Sequence, residues 1–181
     1  MNFEIKINER LSLKFCTVED AEKFFLLSDK NRDHLRSWLP WVDVTLSVDD
    51  TKKYLEGEIE KFNKKTGADF GIWYDGAWIG RAGFHTIKTV HEYAEIGYWI
   101  DKDYEGKGIM NECVKAVIRY GFNDLKLHRI QIKCDSSNSR SKAIPERLGF
   151  TLEGRIRESR KRNEEFSDML VYGLLKKEWQ A

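Results

Sequence analysis

Proline is scarce in this chain, with two residues in 181, and no Gly/Ser-rich linker interrupts it. Nothing therefore marks a domain boundary, and a single domain over residues 1–181, long enough for a substantial core, is expected. Cysteine is scarce as well. Cys16, Cys113 and Cys134 are odd in number and lack CxxC spacing, which argues against a disulfide framework or a zinc knuckle and for a reducing, cytoplasmic setting. No apolar run approaches the ~20 residues of a membrane span, and the opening Met1-Asn2-Phe3-Glu4-Ile5-Lys6 has no apolar signal core. Neither sign of charge is in excess. The 31 basic and 30 acidic residues argue against a protein that binds nucleic acid through bulk charge. His85 and His91 have no partners at metal-ligand spacing, so no metal is expected. There is no Walker A pattern and no internal repeat.

What is present changes period along the chain. Leu11-Ser12-Leu13-Lys14-Phe15 alternates as a strand does. Thr17 with Asp20 opens a helix through Phe24, Phe25 and Leu27, and Ser47 with Asp50 opens another through Tyr54, Leu55, Ile59 and Phe62. Between them His34-Leu35-Arg36-Ser37-Trp38-Leu39-Pro40-Trp41 reads as a short helix stopped by Pro40. Strands follow over residues 68–74, 77–86 and 93–100, the first two joined by a tight Asp75-Gly76 turn. A helix over 109–123, a strand marked by Ile130, Ile132 and Cys134, and a short helix over 139–148 ended by Gly149 come next. Strands over 151–158 and 166–175 bracket the polar run 159–165. This order is mixed α+β rather than strict βαβ alternation.

Asp103-Tyr104-Glu105-Gly106-Lys107-Gly108-Ile109-Met110 joins an aromatic strand to a helix start. Free N–H groups and the dipole at a helix N-terminus favour an anion, and glycines let backbone approach it closely. Taken alone, the stretch fits either a phosphate cradle or an ordinary capped turn.

Further residues sharpen it. Ala94-Glu95-Ile96-Gly97-Tyr98-Trp99-Ile100 precedes the turn, Asn138 and Ser141 follow the next strand, and Pro145-Glu146-Arg147-Leu148-Gly149-Phe150 closes the segment. With the early Trp38-Leu39-Pro40-Trp41, this set resembles the GCN5-related N-acetyltransferase superfamily, and within it the ribosomal-protein N-α-acetyltransferase branch. The resemblance implies a twisted, mostly antiparallel sheet of about six or seven strands flanked by helices. Acetyl-CoA would enter a splay between the strands bearing Trp99 and Cys134. Gly106, Lys107, Gly108, Ile109 and Met110 would hold its pyrophosphate, Tyr98, Trp99 and Ile100 would pair by backbone with the pantetheine, Asn138 would hydrogen-bond that arm, and Ser141 would reach the sulfur. A primary amine, above all a protein N-terminus, would be the acceptor, and a homodimer is possible at family level. A small polyamine or aminoglycoside acceptor, or a silent CoA-binding regulatory module, are the alternatives. The chain departs from the family pattern at Glu105, where Gln or Arg is usual, and at Pro145, where many members carry a Tyr acid. Pro145 also removes an N–H that would bond the Ser141 carbonyl.

Acetyl transfer to an amine needs a neutral amine, a polarised carbonyl and a protonated leaving thiolate. An α-amine at a pKa of roughly 7.7–8 needs only a modest base. Glu95, sharing a strand face with Gly97 and Trp99, and Asp69, at a strand start, are the candidate carboxylates, and Ser141 is the candidate acid. Trp38 and Trp41 are candidates for the acceptor wall. Arg155, Arg157, Arg160, Lys161 and Arg162 read as a solvated hairpin stripe balanced by Glu158, Glu164 and Glu165.

Overall fold

The computed structural model describes residues 3–162 and 165–180. Eight strands form one sheet: β1 Glu4–Lys6, β2 Leu11–Phe15, β3 Ala68–Tyr74, β4 Ala77–Lys88, β5 Tyr93–Ile100, β6 Arg129–Asp135, β7 Thr151–Arg162 and β8 Glu165–Leu175. They lie in the order β1-β2-β3-β4-β5-β6-β8-β7. Every neighbouring pair is antiparallel except β5 and β6, which run parallel. Among the described residues there are five α-helices, α1 Ala21–Lys30, α2 Arg32–Arg36, α3 Val48–Asn63, α4 Ile109–Arg119 and α5 Ser139–Arg147.

Eight strands exceed the six or seven expected. The extra one, β1, spans three residues, too short to show a period of its own. The final hairpin is also longer than its apolar pattern. Residues 159–162, read as part of a polar loop, continue β7, because a two-stranded ribbon is held by backbone hydrogen bonds and needs no buried face. Asn163 and Glu164 of that run lie outside the described residues. The helix before Pro40 ends earlier than expected, at Arg36. Pro40 instead opens a 3₁₀ turn over Pro40–Asp43, where its missing N–H costs nothing.

Local chemistry explains the rest. Ser47 Oγ accepts from the Asp50 N–H at 3.2 Å and donates to the Asp50 carboxylate at 2.8 Å, so the start of α3 is capped from both sides. Asp75 and Gly76 both have positive φ (50° and 78°), the backbone a type I′ hairpin turn requires. Helix α4 lays Val114, Val117 and Ile118 on Ile96, Ile130 and Phe84, and it unwinds into a π turn over Tyr120–Asp124. A second cluster of Cys16, Ala21, Phe24, Leu55 and Trp78 gathers α1 and α3 on the sheet, with Trp41, Trp73 and Trp99 at its margin. Many of the six tryptophans are thus packing residues.

The feature that positions the site is the β5–β6 pair. It holds for four residue pairs, Tyr93↔Arg129 to Ile96↔Ile132, and then ends, while β5 stays paired to β4 as far as Ile100 and β6 stays paired to β8. The sheet is therefore split from Gly97 onward. Elsewhere in the sheet, β3 and β4 approach closely at Gly83. A Cβ at Gly83 would lie 2.4 Å from the Ala68 carbonyl oxygen and from Asp69 Cα, so only glycine fits without backbone movement. Gly83→Ala is expected to lower stability by about 1–3 kcal/mol, read as a lower midpoint in urea unfolding.

Candidate active site

A cleft of about 1090 Å³ occupies the split. Its walls are the second half of β5, the turn 104–110, the end of β6, the first turns of α5, and His34, Leu35, Trp38 and Leu39 from the α2 region. Gly97, Tyr98, Trp99 and Ile100 border it with their β6-facing edge unpaired, so backbone N–H and C=O groups there are offered to whatever enters.

At one end lies the glycine turn. Gly106 and Gly108 have φ of 73° and 76°, and a Cβ at either would meet nothing within 4 Å. Left-handed backbone, not crowding, is what demands glycine there. The turn delivers the chain into α4, whose first N–H groups have no intrahelical acceptors. Ile109 and Met110 fold into the core, leaving their backbone as the ligand-facing part. A smaller cavity of about 460 Å³ shares Gly108, Ile109, Asn111 and Arg147 with the cleft and adds Lys107 and Lys115. Its cations suit the phosphates at the nucleotide end of a CoA molecule.

The charge that looked misplaced, Glu105, is accounted for. Its Oε1 lies 2.8 Å from His34 Nε2, and its Oε2 accepts from the Arg140 guanidinium. One carboxylate thus ties α2 to the start of α5 across the mouth of the cleft, with its charge balanced rather than aimed at a bound phosphate.

Asn138 and Ser141 stand at the start of α5. Asn138 Oδ1 accepts from the Ser141 N–H at 3.0 Å, an N-cap that leaves its amide nitrogen as the group able to meet a ligand carbonyl. Pro145 sits inside α5, so the Ser141 carbonyl has no helical N–H partner. The Tyr98 hydroxyl fills that place, donating to the Ser141 carbonyl at 2.9 Å and lying 3.2 Å from Ser141 Oγ. Burial pushes the Tyr98 phenol well up, so it stays protonated. Tyr98 was expected to contribute backbone alone. Its side chain is what the sequence did not disclose, although the Pro145 gap was a signal that some donor had to be found.

The two candidate carboxylates are placed differently. Glu95 sits on the acceptor side of the sheet with Gly97 and Trp99. It takes hydrogen bonds from Lys133 (3.0 Å), Gln131 (3.2 Å), Tyr93 (3.2 Å) and His85 Nε2 (3.3 Å). Burial alone would raise its carboxyl, but the His85 and Lys133 bonds outweigh burial and hold it at about 2. Asp69 is not part of the cleft wall. Its Oδ2 lies 2.8 Å from Arg81 Nη2, and Arg81, buried, stacks over Phe24 and Tyr54. Trp38 borders the cleft, whereas Trp41 packs on Phe24 and Trp99. Arg160, read as part of a solvated stripe, instead lines the cleft and donates to the Trp38 carbonyl, tying the β7–β8 hairpin to the acceptor side.

A model of the acetyltransferase (GNAT) domain matches residues 10–151, the stretch that carries the split, the glycine turn and α5. The chain belongs to the GNAT acetyltransferase family. It is an acetyl-CoA-dependent N-acetyltransferase. YdaF of Bacillus subtilis (strain 168) is 34% identical over 180 residues, 99% of this chain and 98% of its own length. The ribosomal-protein-serine acetyltransferase of Escherichia coli (strain K12) is 30% identical, covering 95% of this chain and 96% of its own. Among solved structures, the RimL ribosomal L7/L12 α-N-protein acetyltransferase with coenzyme A superposes at a TM-score of 0.93, with 26% identity over 96% of this chain and 98% of that one. There the CoA is joined by a disulfide to a cysteine of that enzyme.

Two outcomes test these placements. Gly108→Val puts a β-branched residue at positive φ and is expected to weaken acetyl-CoA binding at least ~10-fold by calorimetry; unchanged affinity would remove the turn from the binding site. Asp69→Asn leaves the buried Arg81 charge uncompensated and is expected to destabilise the fold by about 3–5 kcal/mol in urea unfolding, with acetyl-CoA affinity of the folded fraction retained.

Proposed function

We propose that this acetyltransferase transfers acetyl from acetyl-CoA to the N-terminal α-amine of a cytoplasmic protein, with ribosomal proteins as the acceptor class, by direct attack in a ternary complex. The observation that carries the acceptor choice is the charge of the cleft wall. The wall carries Lys133, Arg140, Arg147 and Arg160. The two acidic residues of the lining are already engaged. Glu105 is held by His34 and Arg140, and Asp135 accepts from the hydroxyls of Ser137 and Ser167. A polyamine or aminoglycoside carries several positive charges and needs a surplus of unpaired carboxylates. A peptide terminus brings one, on an amine that is partly neutral near pH 7. Trp38 and Leu39 offer apolar surface to its first side chains.

In this reading the unpaired β5 edge from Gly97 to Ile100 holds the pantetheine as an added strand and orients the thioester carbonyl toward a backbone N–H. Asn138 Nδ2 steadies the arm. The Tyr98–Ser141 hydroxyl pair stands at the leaving sulfur, where Ser141 gives up its proton and is re-protonated by solvent through Tyr98. Cys134 lies in the cleft wall beside this pair. Burial pushes its thiol up to about 11, so it is protonated at neutral pH and takes no part as nucleophile. Its place in the wall is where a cysteine would meet the CoA sulfur, in keeping with the linkage seen in the RimL structure.

The acceptor is tested by offering acetyl-CoA with synthetic peptides of free N-terminus, polyamines and aminoglycosides, and reading free thiol and product mass. Acetylated peptide N-termini with silent polyamines is the expected result; the reverse would overturn the acceptor assignment. Ser141→Ala is expected to lower kcat about 10–100-fold while acetyl-CoA affinity changes little. An unchanged kcat with chemistry rate-limiting would take Ser141 out of the mechanism.

A further inference from the structure

We propose that His85 is the group that accepts the proton of the attacking amine, and that Glu95 is its positioning residue rather than the base. The proposal rests on the amine-acetylation reading above and names a residue for the step that reading leaves open.

Three features place His85 at the split of the sheet. First, it is the extra residue of a β-bulge. The β4–β5 register runs Gly83↔Gly97 and Phe84↔Ile96, then resumes at Thr86↔Glu95, so His85 has no cross-strand partner. A bulge redirects a side chain that regular pleating would fix, and bulges recur beside active sites. Second, the ring lies over Gly97. A Cβ there would come within 3.0 Å of His85 Cδ2, so glycine at 97 is what lets imidazole cover the backbone where the sheet splits. Third, the ring is held by both nitrogens. Nε2 faces Glu95 Oε1 at 3.3 Å, and Nδ1 lies 3.1 Å from the Thr86 hydroxyl. His85 nevertheless remains half-exposed and borders the cleft.

Glu95 cannot fill the role itself. A carboxylate that already accepts from four donors and has given up so much of its proton affinity is a poor match for an ammonium. The same arrangement makes it a good anchor. Its charge draws the ring proton to Nε2 and leaves the lone pair on Nδ1. The charged groups facing the imidazole are Glu95 from β5, Lys133 from β6 acting through Glu95, and Asp69 from β3, itself paired to Arg81.

The balance of the step is complete. The acceptor ammonium, directly or through one water, replaces the Thr86 hydroxyl as donor to Nδ1 and passes one proton to it, giving imidazolium beside the Glu95 carboxylate. The freed nitrogen lone pair forms the N–C bond to the thioester carbonyl, whose π electrons move to oxygen. When that oxygen re-forms the carbonyl, the C–S bond breaks and its electron pair leaves on sulfur. The sulfur takes the Ser141 proton, the amide nitrogen sheds its second proton to solvent, and His85 releases the first. One proton is released per turnover, and no oxidant or metal is required.

The test uses acetyl-CoA and a synthetic peptide with an N-terminal serine. Wild-type enzyme must release thiol with this pair; if it acetylates no amine, the functional reading itself fails, and the proposal with it. With turnover established, His85→Ala is expected to lower kcat about 100-fold while the acetyl-CoA dissociation constant stays within about twofold, to lose the acidic limb of kcat/KM against pH, and to regain part of its activity with added imidazole. Glu95→Gln is expected to keep that limb but displace it, with a smaller loss of kcat. His85→Ala with wild-type kcat and an unmoved limb would overturn the proposal. So would a loss matched by loss of acetyl-CoA affinity and untouched by imidazole. An unmoved limb in Glu95→Gln would overturn the part given to Glu95.

Discussion

Two parallel strands that part after four paired residues set the terms for everything else in this protein. Parallel neighbours in an otherwise antiparallel sheet need a crossover connection, and here the crossover is the glycine turn and α4. Once β5 leaves β6, its polar edge must find partners elsewhere, since buried backbone groups are costly when unpaired. An extended ligand with amide groups satisfies that edge. The turn that begins the crossover then stands at the far end of the same edge, where phosphates belong. One topological constraint thus sets an unpaired strand edge and a glycine turn with free helix N–H groups in line along one cleft.

The departures from family pattern are compensated within the fold rather than tolerated. Proline in α5 strips the Ser141 carbonyl of its helical donor, and Tyr98 from the facing strand supplies a hydroxyl in its place. That substitution brings a second hydroxyl to Ser141, so loss of one proton donor recruits another. Glutamate in the phosphate turn would repel the cofactor, but the Arg140 guanidinium from α5 and the His34 ring from α2 hold it. In both places a local liability became a tertiary contact between the two walls of the site.

Much of this was legible in one dimension. The alternation of residues 93–100, the left-handed glycine turn after it and the cap at Asn138 were readable because strand period, turns and helix caps act over a few residues, and the family resemblance is what tied them to acetyl-CoA. Other parts were not legible. Glu95 and Asp69 look alike as acidic residues on strands, yet one stands at the split beside His85 and Lys133 while the other lies beneath α1 and α3 on Arg81. Trp38 and Trp41 are three positions apart, and one borders the cleft while the other joins the packing around Phe24. Arg160 read as a solvated charge because nothing near it in sequence reveals that its hairpin reaches Trp38. His85 was weighed only as a metal ligand, because its place at the split comes from a register slip in pairing, which no run of residues displays.

Strand period, turn glycines and helix caps act over short spans, so the α+β class, the order of elements and the left-handed glycine turn were readable along the chain, and the resemblance of its motifs supplied the family. That Glu95 rather than Asp69 stands at the split, that Arg140 and His34 hold Glu105, that the Tyr98 hydroxyl meets Ser141 and that a histidine lies over Gly97 emerged with the folded chain. Those outcomes depend on which strands are neighbours, where their pairing slips and where it stops. Such contacts join residues far apart along the chain, such as Tyr98 with Ser141 and His34 with Glu105, and spacing in sequence carries no information about them.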